Sequence, residues 1–166
     1  CIHRYTRWGR KAGIAAGLVF GAMTLAAGIT GLTYGWKHIV VRETEIRSER
    51  LPESFRGYRI AQISDLHIGT YSYAPEKVRE IVDSINARRP DLIVFTGDII
   101  NIYPEELVQF TEELDRLEAP DGVYAIMGNH DYCGYADYTP EEQDNAISRL
   151  QNLEKEAGLE LLLNRN

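Results

Sequence analysis

The sequence predicts a membrane-anchored α/β domain built on a parallel sheet, and three observations predict it. An uncharged, apolar stretch of about 25 residues, 12–36, lies near the start of the chain. Further on, short β-prone runs alternate with segments of helical periodicity, as happens when helices connect parallel strands. Polar residues follow three of these runs directly, and the carboxyl ends of parallel strands meet at one edge of a sheet. The three runs are 58–64, 92–96 and 123–127.

Residues 12–36 are long enough to cross a bilayer, since a helix rises about 1.5 Å per residue and the hydrocarbon core is about 30 Å thick. A cleaved signal peptide is the alternative, but its apolar core is usually about 7 to 15 residues long. Glycines recur every four residues, which would permit helix–helix contacts in the membrane, although glycine is also common in such helices. Tyr34 and Trp36 are expected to lie at the interface.

Charge divides the chain into a basic leader and an acidic body. Residues 1–42 contain six Lys or Arg and no acid, whereas the rest contains twelve basic and twenty-five acidic residues. The body is therefore not expected to bind nucleic acid as its main partner, because that requires clustered Lys and Arg. Four basic residues precede the predicted span and two follow it, so the body is expected on the outer face of a plasma (inner) membrane unless upstream helices overrule this small bias. The predicted domains are 1–38 and 39–166.

Five strands are predicted in the body. Val40–Ile46 alternates in polarity and is interpreted as the first strand. The run 58–64 follows, and Leu92–Thr96 is apolar almost throughout, as a central strand covered on both faces should be. Val123–Met127 is the next strand, and Leu159–Leu163 begins another.

Three helices are predicted between these strands. The first begins at Pro75, has apolar residues at helical spacing up to residue 85, and is ended by residues 88–90. The second runs over 104–117. The third begins at Thr139 with a capping box and closes at Gly158.

The polar clusters offer ligands for divalent cations. Asp65 and His67 would share a face if the chain were extended there, although an isolated Asp-x-His is more often a surface accident. Gly97 is expected to let the backbone approach a metal closely, and Asp98 could bridge two cations. Strands about 4.8 Å apart are compatible with cations about 3.5 to 4 Å apart.

Together the clusters resemble the signature of the calcineurin-like metallophosphoesterases: Asp-x-His, then Gly-Asp, then Gly-Asn-His-Asp. Here 29 residues separate His67 from Gly97, and 29 separate Asp98 from Gly128. The resemblance covers about residues 58–132 and implies part of a four-layer α/β/β/α fold. With its leader, the chain is similar to the bacterial membrane-anchored subgroup, whose proposed substrates include UDP-diacylglucosamine in lipid A biosynthesis.

The resemblance implies hydrolysis of a phosphodiester or phosphomonoester by water that two divalent cations activate. Asp65 and His67 would bind the first metal, Asp98 would bridge both, and Asn129 would bind the second. Mn, Fe or Zn would suit these oxygen and imidazole ligands.

Two further residues of the last cluster would act in catalysis by the same resemblance. His130 would lie over the phosphate as a general acid or as a donor to the transition-state oxygens, and Asp131 would set its orientation. The alternative is a non-catalytic membrane-anchored scaffold or partner-binding protein. A dinucleotide- or phosphate-binding loop is not found in the sequence.

The family supplies further histidines from later segments, but no histidine follows His130 here. The chain is therefore expected to be a fragment with about half of the catalytic domain, which alone binds metal weakly and turns over little. Five tyrosines near the clusters either line a substrate cleft or are ordinary loop aromatics. They are Tyr71, Tyr73, Tyr132, Tyr135 and Tyr138.

Overall fold

A computed structural model describes the backbone of residues 2–33 and 39–163 and divides the chain into two units, Cys1–Ile46 and Arg47–Asn166. Each unit is described by itself. The division falls after Ile46, and the boundary predicted at residue 38 lies outside the described residues.

The first unit contains one long helix, α1 (Ile2–Thr33). Within it, Gly9–Leu32 has a mean hydropathy of 1.9 and is long and apolar enough to cross a membrane. The hydroxyls of Thr24 and Thr30 donate to carbonyls one turn earlier, which satisfies these polar groups within the helix. The predicted interfacial residues at 34 and 36 lie outside the described residues.

The prediction of a strand at Val40–Ile46 is wrong. This segment is irregular and exposed, and it pairs with no strand in the described part of the chain. Alternating polarity makes a segment suitable for a sheet, but a strand also needs a neighbouring strand with which to pair.

The second unit is built on a parallel four-stranded sheet, which confirms the predicted α/β class. All three strand pairs are parallel, because each connection crosses over through helical segments. The strands are shorter than predicted. In spatial and chain order they are β1 (Ile60–Ile63), β2 (Leu92–Phe95), β3 (Val123–Ala125) and β4 (Glu160–Leu161).

Four helices accompany the sheet. The longest begins with the predicted capping box, in which Glu142 N donates to Thr139 Oγ1 and Thr139 N donates to the Glu142 carboxylate. It ends just before Gly158, as predicted. The helices are α2 (Glu76–Asn86), α3 (Glu105–Val108), α4 (Thr111–Leu114) and α5 (Pro140–Glu156).

The segment predicted as one helix over 104–117 is two short helices, α3 and α4, so this prediction is wrong. The chain turns at Phe110, where φ is −117° and the N–H donates three residues back to Leu107 O. Leu107, Phe110 and Leu114 are all buried. All three side chains reach the core although the helix is interrupted between them.

The core lies between the helices and one face of the sheet. Ile93 and Phe95 of β2 point into it and are buried. On the other face Leu92 and Val94 are only half-buried, and Ile60 of β1 is 59% exposed. Among the described residues β2 is therefore covered on one face, not on both as its apolar sequence predicted.

Candidate metal centre

The loops after β1 and β2 are joined beyond the ends of their strands. Asp65 N donates to Gly97 O at 3.1 Å, and His67 N donates to Asp98 O at 3.1 Å. Two of the polar clusters are thus held together by backbone hydrogen bonds, at the carboxyl edge of the parallel sheet.

The backbone is left-handed at three residues of these clusters. The φ angles are 53° at Asp65, 43° at His67 and 58° at Asp98. Such angles cost a non-glycine residue of order 1 kcal/mol or more, so the surrounding hydrogen bonds must hold them. The expectation that Asp65 and His67 share a face of extended chain is therefore wrong.

Three side chains offer ligand atoms that lie within 4.8 Å of one another: His67, Asp98 and His130. Imidazole nitrogen together with carboxylate oxygen is a donor set for Zn, Fe or Mn. The group joins one residue from each cluster, and it includes His130, which was expected to act on the phosphate. The Asp65 carboxylate is outside the group and accepts from the neighbouring Ser64 hydroxyl.

The loops after β2 and β3 also touch closely at two glycines. A Cβ at Gly128 would overlap Asp98 Oδ1, and a Cβ at Gly97 would overlap the backbone of Gly128. His130 N donates to Asp98 Oδ1 at 2.9 Å across this contact. Gly97 thus allows the loop after β3 to approach closely. The site formed by these loops, with its imidazole and carboxylate donors, fits a divalent cation.

Backbone carbonyls fix the two imidazole rings. His67 Nδ1 lies 3.2 Å from Ile100 O, and His130 Nδ1 lies 2.5 Å from Asn101 O. A neutral ring in these positions carries its proton on Nδ1 and keeps the Nε2 lone pair for a ligand or a proton. The rings meet edge to face, with centroids 4.6 Å apart.

Asp131 is buried, and its carboxylate accepts hydrogen bonds from the loops after β2 and β3. Its Oδ2 accepts from two backbone amides at 2.7 and 2.8 Å, and its Oδ1 accepts from two more at 2.9 and 3.3 Å. Burial raises the pKa of this carboxyl, and the amides partly oppose that shift. The four donors are Asp98, Gly128, Ile99 and Ile100.

Asp131 was predicted to set the orientation of His130. The His130 ring contacts the Asn101 carbonyl, and the Asp131 carboxylate accepts from the backbone of the loop after β2. Asp131 therefore shapes the site through the loops and does not orient the imidazole directly.

A family model described as calcineurin-like phosphoesterase matches residues 58–162, more than half of the chain. The chain belongs to this family. Its members are phosphoester hydrolases that use divalent metals.

Curated relatives from different organisms agree with this assignment. An uncharacterized metallophosphoesterase, YkuE of Bacillus subtilis, is 37% identical over 74% of the chain and 44% of its own length. The UDP-2,3-diacylglucosamine pyrophosphatase LpxG of Chlamydia trachomatis is 33% identical over 84% of the chain and 44% of its own length. A zebrafish (Danio rerio) transmembrane protein with a metallophosphoesterase domain is 33% identical over 66% of the chain and 25% of its own length. The chain thus spans less than half the length of these relatives. Its candidate transmembrane helix and these relatives indicate membrane association.

Besides Asp131, a second carboxylate supports the candidate metal centre, and it was not predicted from the sequence. Glu106 accepts from the backbone amides of Asn101, Ile102 and Tyr103 at 2.7 to 3.0 Å. It thereby holds the segment whose carbonyl contacts His130. The signal available was an acidic residue in the first turn of a predicted helix, which often caps backbone amides.

A buried carboxyl was also missed. Glu154 of α5 is fully buried, and neither of its carboxylate oxygens has a hydrogen-bond partner among the described residues. Burial, together with the charge of Asp131, raises its pKa to about 8. The signal was its helical spacing, since Glu154 follows the buried Leu150 by one turn.

Proposed function

We propose that this protein is a membrane-anchored metallophosphoesterase that hydrolyses a phosphoester of a lipid-linked or nucleotide-sugar substrate such as UDP-diacylglucosamine. The convergence of His67, Asp98 and His130 within 4.8 Å carries the proposal. Two LpxG relatives, 33% and 40% identical, are named UDP-2,3-diacylglucosamine pyrophosphatases and support the substrate class.

The candidate transmembrane helix supports the same substrate class on physical grounds. Each acyl CH₂ buried in a bilayer contributes about 0.8 kcal/mol, so a diacylated substrate stays in the membrane. An enzyme tethered by Gly9–Leu32 would meet such a substrate at the membrane surface.

We infer that two divalent cations occupy the site. Asp65 and His67 would hold one, Asn129 the other, and Asp98 both. Bound cations of this kind lower the pKa of the attacking water and neutralise phosphoryl charge. The backbone bonds from Asp65 and His67 to the loop after β2 keep these ligands in register.

His130 is proposed to act on the phosphate. Its Nδ1 contacts the Asn101 carbonyl, which leaves Nε2 available for the reaction. To protonate a leaving oxygen the ring must first take a proton on Nε2, and as an imidazolium it can also donate to transition-state oxygens. Asp131 is a positioning residue that holds the loops carrying Asp98 and Gly128.

The test uses the full-length protein, purified in detergent and assayed with Mn²⁺ against a bis-aryl phosphodiester and an aryl phosphomonoester. Asp98→Asn is expected to lose metal and activity together, and His130→Ala to lose activity while keeping metal. Asp137→Asn, an exposed acid in the same part of the chain, is the matched control. An Asp98→Asn protein with full metal content and activity would refute the proposal.

The membrane orientation is a separate proposal. We propose that the phosphoesterase domain lies on the outer face of the inner membrane, and the basic flank of α1 supports this orientation. Tyr73 is fully exposed and suits a reporter thiol. We expect Tyr73→Cys to react with a membrane-impermeant maleimide in spheroplasts, and reaction only after lysis would reverse the assignment.

A further inference from the structure

We propose that Tyr135 is a positioning residue of the metal centre, which orients the Asn129 carboxamide for metal binding and backs the His130 ring. This inference rests on the proposed function, because it takes Asn129 as a ligand. It separates Tyr135 from the other tyrosines near the site, which sequence reasoning treated as one group.

Tyr135 contacts both neighbouring residues of the third cluster. Asn129 Nδ2 donates to the Tyr135 hydroxyl at 2.9 Å. The Tyr135 ring stacks on the His130 ring, with centroids 4.4 Å apart and an angle of 26° between the planes. One side chain thus holds the proposed ligand and the proposed catalytic imidazole together.

The hydrogen bond matters because only one atom of a carboxamide binds a cation. The oxygen of Asn129 can be a ligand, whereas its NH₂ group carries two protons and cannot. When the nitrogen donates to Tyr135, the oxygen is fixed on the other branch of the amide. Without this acceptor, half a turn about the terminal torsion would direct the NH₂ group toward the cation.

Burial does not explain these contacts. Tyr135 is 60% exposed, so its ring contributes little to the core, yet its hydroxyl and one ring face are engaged by adjacent residues of the cluster. Tyr73, by contrast, is fully exposed and makes neither kind of contact with the residues that the structure describes. Outer partners of this kind typically change metal affinity 10- to 100-fold when removed.

The test measures Mn²⁺ binding to metal-free, full-length protein by calorimetry. Tyr135→Phe keeps the ring but removes the acceptor, and it is expected to weaken Mn²⁺ binding about 10-fold. Tyr73→Phe removes an exposed hydroxyl and is expected to bind as the wild type does. The melting temperature of metal-free Tyr135→Phe is expected to equal that of the wild type, because the phenol acts on the ligand and not on the fold.

A double-mutant cycle tests whether the effect passes through Asn129. In an Asn129→Ala background, Tyr135→Phe is expected to cause no further loss of Mn²⁺ affinity. Wild-type affinity in Tyr135→Phe, or an equal loss in both backgrounds, would overturn the inference. If Asp98→Asn loses Mn²⁺ while Tyr135→Phe does not, only this inference fails; if Asp98→Asn also binds as the wild type does, the proposed function fails with it.

Discussion

Replacing the buried carboxyl with its neutral isostere, Glu154→Gln, should remove a large pH dependence of stability. The folded protein holds Glu154 with a pKa of about 8, against 4.5 for an ordinary glutamate. Two features raise this pKa: burial of the carboxyl, which has no hydrogen-bond partner among the described residues, and the nearby negative charge of Asp131.

The sign follows from which state releases its proton first. In the unfolded chain Glu154 ionises near pH 4.5, whereas in the folded protein it stays neutral until about pH 8. Ionisation therefore favours the unfolded state, and the free energy of unfolding falls as pH rises through this window. It levels off above pH 8. One pKa unit corresponds to about 1.4 kcal/mol, so the contribution lost between pH 6 and pH 9 is about 2.5 kcal/mol.

Urea unfolding of the full-length protein at pH 6 and pH 9 measures this effect. The wild type is expected to lose about 2.5 kcal/mol more between these pH values than Glu154→Gln does, since all other groups titrate equally in both. The cost of burying the glutamine amide is the same at both pH values and cancels. Glu156→Gln, an exposed change in the same helix, should behave as the wild type does. Equal losses in the wild type and Glu154→Gln would refute the reasoning.

Three further predictions concern the loops. In the wild type two backbone amides donate to Asp131 Oδ2, and Asp131→Asn would place an NH₂ group against them. This variant should destabilise the fold by about 2 to 4 kcal/mol in urea unfolding, and an unchanged unfolding midpoint would contradict this. Gly128→Ala places a methyl group on Asp98 Oδ1 and should weaken Mn²⁺ binding at least about 10-fold by calorimetry, so wild-type affinity would count against the candidate metal centre. Glu106→Gln loosens the segment whose Asn101 carbonyl holds the His130 imidazole, for which we propose a catalytic role, and should lower kcat several-fold with little change in KM. A change in KM alone would argue for substrate binding instead.

The arrangement of the clusters could be predicted from the sequence because the signals are local. Apolar runs at 60–63, 92–95 and 123–125 form adjacent parallel strands, and helices connect them. Once strands are parallel, polar residues that follow them must share an edge. Local periodicity was therefore enough to predict that His67 and Asp98 lie close together.

Other features depend on contacts between distant segments, which periodicity does not encode. Asp131 was interpreted as the partner of its neighbour His130, but its carboxylate binds amides more than thirty residues earlier in the chain. The backbone angles at Asp65 and His67 follow from bonds to the loop after β2. Val40–Ile46 has the alternation of a strand, but no strand of the described residues pairs with it.

Because the backbone is left-handed at Asp65, His67 and Asp98, stability of the fold and binding of a cation favour different residues at these positions. Glycine would adopt these angles with of order 1 kcal/mol less conformational cost at each position, yet it offers no side chain to a cation. Selecting heat-resistant variants by survival of the fold alone should therefore enrich glycine at these three positions and yield durable but inert proteins. A thermostability campaign on this domain needs a catalytic readout at every round.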